Sequence, residues 1–179
     1  MMKNKEIFFL LILLTTQLAG CGGGGGGASV TPSRTALVTL SSAGTLPVGS
    51  LIGGIDIALN LPAGVTVKST PSPLNQAVLE PSPGVITLQG GAAGAASQSL
   101  SVASYVPGTP GRVNLKLISA SGLAPAEAFA TVSCDIAAGS SSLPADFSVT
   151  ANIAQTTGVF DLNGVALPNV SVQFSVVIK

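Results

Sequence analysis

The strongest constraint on the fold is a two-residue alternation of apolar and polar side chains, repeated along most of the chain. Val170, Val172, Phe174, Val176 and Ile178 fall on one phase, with Ser171, Gln173 and Ser175 on the other. Phe147, Val149, Ala151 and Ile153 alternate with Ser148, Thr150 and Asn152; Ile55, Ile57, Leu59 and Leu61 with Asp56 and Asn60; Val113, Leu115 and Leu117 with Asn114 and Lys116. Successive side chains of a strand point to opposite faces, so this pattern specifies half-buried strands, apolar inward and polar outward. Antiparallel sheets have that character.

Further strands are expected over 35–41, 64–69, 85–89, 98–106, 128–137 and 159–162. Turn-forming clusters separate them: Pro47, Pro62 to Gly64, Pro81 to Gly84, Gly90-Gly91, Pro107 to Gly111, Gly139 to Pro144, and Asn163-Gly164. Asn-Gly suits a two-residue type I′ hairpin turn. A short helical turn is expected at 74–79. About nine strands with little helical periodicity predict an all-β antiparallel sandwich of the jelly-roll kind.

The N-terminal stretch has a different logic. Lys3 and Lys5 precede the unbroken apolar run 7–14 (IFFLLILL), the pattern of an export signal. A bilayer span needs about 20 apolar residues, far more than this run supplies. The run leads into Leu18-Ala19-Gly20-Cys21, which resembles the bacterial lipobox. That resemblance implies a signal peptide over 1–20, cleavage before Cys21, a diacylglycerol on the Cys21 sulfur and acylation of the new amine. Gly22 in place of Asp resembles lipoproteins sorted to the outer membrane.

Six glycines follow at 22–27, and 28–33 stays small and polar. Glycine loses the most backbone entropy on ordering and has nothing to bury, so 21–33 reads as a lipidated leash. Its end-to-end distance is roughly 20 Å. A phosphate-binding glycine loop would need a preceding strand and a following Lys-Ser/Thr, and neither is present. Residues 34–179 then form one domain, of a size sufficient for its own core.

Charge and residue content narrow the function classes. In the mature region Arg34, Lys68, Arg112, Lys116 and Lys179 are scattered, as are Asp56, Glu80, Glu127, Asp135, Asp146 and Asp161. No basic stripe marks a nucleic-acid site, and no polybasic patch marks a lipid surface. The chain contains no histidine, which removes the commonest general base and the usual zinc and copper ligands. The isolated carboxylates suggest no glycosidase pair. With Cys21 committed to lipid, Cys134 has no disulfide partner. Its phase, with Ala130, Val132 and Ile136, makes it a core residue rather than a nucleophile. The expectation is a protein that is not an enzyme and needs no cofactor.

Binding residues are sparse. The mature region has no Trp and one Tyr. Tyr105, beside the Pro107–Pro110 turn, is the single candidate for an exposed ligand contact. Phe129 is out of phase with its strand and is expected to be partly exposed, whereas the other phenylalanines fit core positions. Asp161 and Asn163 are the candidates for calcium, with hairpin-turn chemistry as the simpler explanation.

Two stretches resemble cohesin-type domains. Residues 51–67 (LIGGIDIALNLPAGVTV) look like a strand, a proline-containing corner and a Val-rich strand of that family. Residues 111–122 (GRVNLKLISASG) followed by 128–139 (AFATVSCDIAAG) are similar to a later part. Cohesins share a nine-stranded jelly roll with several carbohydrate-binding modules. The resemblance implies a non-catalytic module that attaches to a protein partner at the cell surface. A polysaccharide-binding module on the same fold, or a structural subunit of an envelope assembly, are the alternatives.

Overall fold

A computed structural model describes residues 34–68, 85–94 and 99–179. The signal peptide, Cys21, the glycine leash and the helical turn expected at 74–79 lie outside the described residues.

The described chain is an antiparallel β-sandwich. Its strands are β1 (Arg34–Gly44), β2 (Ile52–Leu61), β3 (Val65–Val67), β4 (Ile86–Leu88) and β5 (Ser99–Val106). Then follow β6 (Gly111–Leu123), β7 (Ala128–Ile136), β8 (Ser148–Ala151), β9 (Val159–Asp161) and β10 (Val170–Ile178). A single helical turn, α1 (Gly90–Gly94), and a 3₁₀ turn (Pro144–Asp146) complete it. One sheet, called A here, runs β10-β1-β7-β3 with β4 also on β7; the other, B, runs β5-β6-β2-β8 with β9 also on β2.

Ten described strands occupy eight strand positions. β3 pairs with residues 134–136 of β7 and β4 with residues 130–132, so the two lie end to end along one edge. In the same way β8 lines residues 57–60 of β2, and β9 lines residues 52–55. Each of the ten corresponds to a segment expected from the sequence, and two of the edges are each built from two short pieces.

The alternation places the core between the sheets. Val38, Ile52, Ile57, Leu61, Leu117, Val132 and Ile136 are fully buried. Each such side chain contributes about 1.5–3 kcal/mol of hydrophobic free energy. Cys134 belongs to the same cluster, as its phase predicts.

Local irregularities overturn four expectations. Phe129 is buried in the core rather than partly exposed. The β1–β7 register shifts between Leu40 and Ser41, whose partners are Ala130 and Ala128. Phe129 is the extra residue of a β-bulge there, and a bulge re-aims its side chain. Phe160, expected in the core, instead sits opposite Gly54 and is half-exposed on the outer face of sheet B. Ile153 is exposed too, because β8 ends at Ala151 and the chain leaves the sheet before reaching it.

The fourth correction concerns Asn163-Gly164. A type I′ turn needs positive φ at both residues. Here Gly164 has φ +78°, while Asn163 is not among the residues with positive φ. The backbone N–H of Gly164 donates to the Asp161 carbonyl at 3.1 Å, and that of Asp161 donates to the Val165 carbonyl at 2.8 Å. This is the three-residue hairpin loop, a turn closed by a glycine bulge. The Asp161 carboxylate decides the outcome: Oδ1 accepts the N–H groups of Asn163 and Val165, both at 2.8 Å.

Candidate functional site

The outer faces of the two sheets differ in chemistry. On sheet A, β1 presents Thr35, Leu37, Thr39 and Ser41, and β10 presents Ser171, Gln173, Ser175 and Val177. That face is a hydroxyl-rich surface with one apolar cross-strand pair, Leu37 and Val177. On sheet B, by contrast, apolar side chains gather around a glycine.

Cross-strand pairing builds that cluster. Gly54 of β2 lies opposite Ile118 of β6 on one side and Phe160 of β9 on the other. With no side chain of its own, Gly54 is the floor between them. Leu162 and Ile153 close the recess, which has a volume of about 360 Å³. Ile118, Leu162 and Ile153 remain 48%, 49% and 47% exposed.

The recess depends on Gly53. β2 carries a register shift between Ile52 and Gly54, and there the β9 end passes directly over the backbone. A Cβ on Gly53 would lie 2.5 Å from the Leu162 Cα and 2.6 Å from the Asp161 carbonyl oxygen. Only glycine admits this approach, which brings Phe160 and Leu162 beside Gly54.

A polar network borders the apolar part. Lys116 Nζ lies 3.1 Å from Asp56 Oδ2, and Asn152 Nδ2 donates to Asp56 Oδ1 at 2.7 Å. Asn152 also donates to the Ile57 carbonyl at 2.9 Å, while its Oδ1 accepts from Arg112 Nη2 at 2.7 Å. The Asp56 side chain is only 13% exposed, so its partners hold it in one orientation. With Lys116 open to solvent, the ion pair adds about 0–1 kcal/mol to stability. Its consequence here is a fixed pattern of charge. A second hollow of about 380 Å³ adjoins the first, sharing Asp56 and Lys116 and reaching Val102, Ser104 and Asn114.

An apolar centre bordered by oriented polar groups shares the core-and-rim layout of protein interfaces. The recess has room for one large apolar side chain, with Asp56 and Lys116 at its border and Asn152 and Arg112 further along the same polar network.

The residues singled out from sequence fall elsewhere or at the border. Tyr105 lies opposite Val113 in the β5–β6 ladder, half-buried and packed against the core. Burial pushes its phenol above the ordinary value, with charge on Cys134 adding to the shift. It is not on the outer face of sheet B. Asp161 lines the recess, but its Oδ1 is engaged by the turn; Asn163 is exposed at the loop tip. Among the described residues, no three of His, Cys, Asp and Glu converge as a metal site would require.

Sequence reasoning passed over Ile118, Phe160 and Leu162, yet a signal existed. Arg112, Asn114 and Lys116 set the outward phase of β6, and Ile118 continues it as an apolar residue. Phe160 and Leu162 flank Asp161 in one phase, and Gly53-Gly54 inside a strand marks close backbone approach.

Cys134 is buried, and burial pushes its thiol up to about 12, with the Asp135 carboxylate adding to the shift. The thiolate is the reactive form, so iodoacetamide at pH 8 is expected to label Cys134 about 100-fold more slowly in the native protein than in the unfolded one. Peptide mass spectrometry reads this directly, and equal rates would refute the buried placement. The pH dependence has a definite sign. The unfolded thiol loses its proton near its ordinary value of 9, whereas the folded one keeps it until about 12. Between those values the unfolded state binds fewer protons, so this group's contribution is intact below 9 and is lost as pH rises toward 12.

Comparison with known proteins finds no matching family model, no matching curated protein and no matching solved structure.

Proposed function

We propose that this chain is a non-catalytic, membrane-anchored lipoprotein that displays its sandwich as a docking module for a protein partner. Lipid on Cys21 holds it at the membrane, in the outer-membrane sorting class, and the glycine leash carries the sandwich clear of the headgroups. The partner binds the outer face of sheet B. The observation that carries this reading is the contrast between the faces: sheet B gathers Ile118, Phe160, Leu162 and Ile153 around Gly54 beside a fixed charge network, whereas sheet A is hydroxyl-rich. The cohesin resemblance supports the same class of function.

Central apolar residues carry most of the energy of such interfaces, so one charge at the recess is decisive. Full-length protein, immobilised, is expected to capture one saturable partner from envelope and extracellular fractions of the producing organism. Ile118→Asp, at an exposed position, is expected to weaken that capture by at least about 10-fold. Thr87→Asp, exposed on sheet A, is expected to leave it unchanged. Equal capture by the Ile118→Asp protein would overturn the assignment of the face. Saturable retention of a polysaccharide with no protein captured would replace this reading with a glycan-binding one.

A further inference from the structure

The edge of sheet A formed by β10 is long, and among the described residues no strand pairs with its outer side, although the 3₁₀ turn contacts β10. Edge strands expose unpaired N–H and C=O groups, and proteins normally blunt them with charges, prolines, bulges or short length. The β3, β4, β8 and β9 edges are three or four residues long. β10 has nine residues, VSVQFSVVI, with no charge, proline or glycine, and pairs with β1 in unbroken register.

The register shows which groups are free. Thr35 and Lys179 exchange both backbone hydrogen bonds, each 2.9 Å. Antiparallel ladders alternate, so the backbone groups of Ser171, Gln173, Ser175 and Val177 also face β1. Those of Val172, Phe174, Val176 and Ile178 face the opposite way. Among the described residues, no backbone group meets them.

The same four residues carry incompletely covered side chains. They point toward the inter-sheet space and pack against the core, but all four stay only half-buried. On β5, the other long edge, inward Ala103 is buried and inward Tyr105 half-buried, so its apolar row is shorter. One more strand beside β10 would satisfy the free backbone groups and cover this apolar row.

We propose that this strand is β10 of a second copy, joined about a two-fold axis at Phe174. In that register Phe174 meets its own equivalent and Val172 meets Val176 of the other copy on the inner side. Gln173 meets Ser175 on the outer side. The strand is complementary to itself on the inner side, where apolar meets apolar throughout; on the outer side Gln173 meets Ser175 and Ser171 meets Val177, and no charge is brought against its like. A two-fold interface requires this self-complementarity. The two sheets A become one continuous sheet, and the sheet B faces of both copies stay free. The proposal is therefore independent of the partner assigned to sheet B.

The pairing can be tested by sedimentation equilibrium of the full chain in density-matched detergent, with amide hydrogen exchange. The protein mass is expected to double with concentration. As it does, the Val172, Phe174, Val176 and Ile178 amides gain protection, while the neighbours bonded to β1 are protected throughout. A protein with Gln173→Lys and Ser175→Lys sets two like-charged pairs across the junction and is expected to stay monomeric with an unchanged far-UV spectrum. One with Gln173→Lys and Ser175→Glu sets two opposite-charged pairs and is expected to dimerise again. A wild-type chain still monomeric at about 1 mM overturns the proposal. So does equal dimerisation of wild type and the double-lysine protein, or failure of the Lys/Glu combination to restore the dimer.

Discussion

Leu117→Ala is expected to lower the unfolding free energy by about 3 kcal/mol, whereas Ala at the next residue, Ile118, is expected to cost about 0.5 kcal/mol or less. Leu117 is fully buried and lies opposite Ile55 of β2, itself buried, so truncation leaves a cavity between the sheets. Ile118 points the other way, is 48% exposed, and lies opposite a glycine that offers no side chain to pack. For a domain of this size the first change corresponds to a loss of about 10 °C in Tm. Urea titration checks both: the midpoint of the Leu117→Ala protein should fall with no change in slope. Similar costs at the two positions would mean that the β6 register is displaced, since a one-residue slip exchanges the faces.

That alternation is why so much of the fold was legible in the sequence. A strand with one buried face writes its orientation into every second residue, and β2, β6, β7 and β10 all do so. The errors occurred where the period is interrupted. Phe129 is out of phase only on an unbroken count; the bulge opposite Leu40 and Ser41 resets the phase and sends its ring into the core. Asn163-Gly164 has the composition of one turn and the geometry of another, because the Asp161 side chain captures two amides of the loop. Ile153 keeps the alternation of β8 after the strand has ended.

The candidate site was less legible for a different reason. Gly54, Ile118 and Phe160 come from three separate segments, and only cross-strand register makes them neighbours. Composition pointed to Tyr105 because it is the sole tyrosine, but the β5–β6 pairing turns it toward Val113 and the core. An outward-phase isoleucine and a glycine pair inside a strand were visible in the sequence. Neither means much until the ladder places one beside the other.

The two cysteines are expected to behave as opposites, and this gives the largest effect at the membrane. Cells fed labelled palmitate should incorporate it into the wild-type protein and into a Cys134→Ala protein alike. Incorporation should fall to background in a Cys21→Ala protein. Cys134 is enclosed between the sheets, so no acyl donor can reach its sulfur. Cys21 closes the lipobox-like tetrapeptide and is followed by the six glycines, a stretch with no side chain to shield it. The apolar run 7–14 is too short to span a bilayer, where about 20 residues are needed, so the proposed attachment rests on acyl chains. Each methylene contributes about 0.8 kcal/mol, and two or more chains hold where one is marginal. Wild-type protein should therefore resist alkaline carbonate extraction and begin, by mass spectrometry, at an acylated Cys21. A wild-type chain without label, or a Cys21→Ala chain labelled as strongly as wild type, would remove the anchor from the proposal. It would leave the sandwich and its sheet B face as they stand.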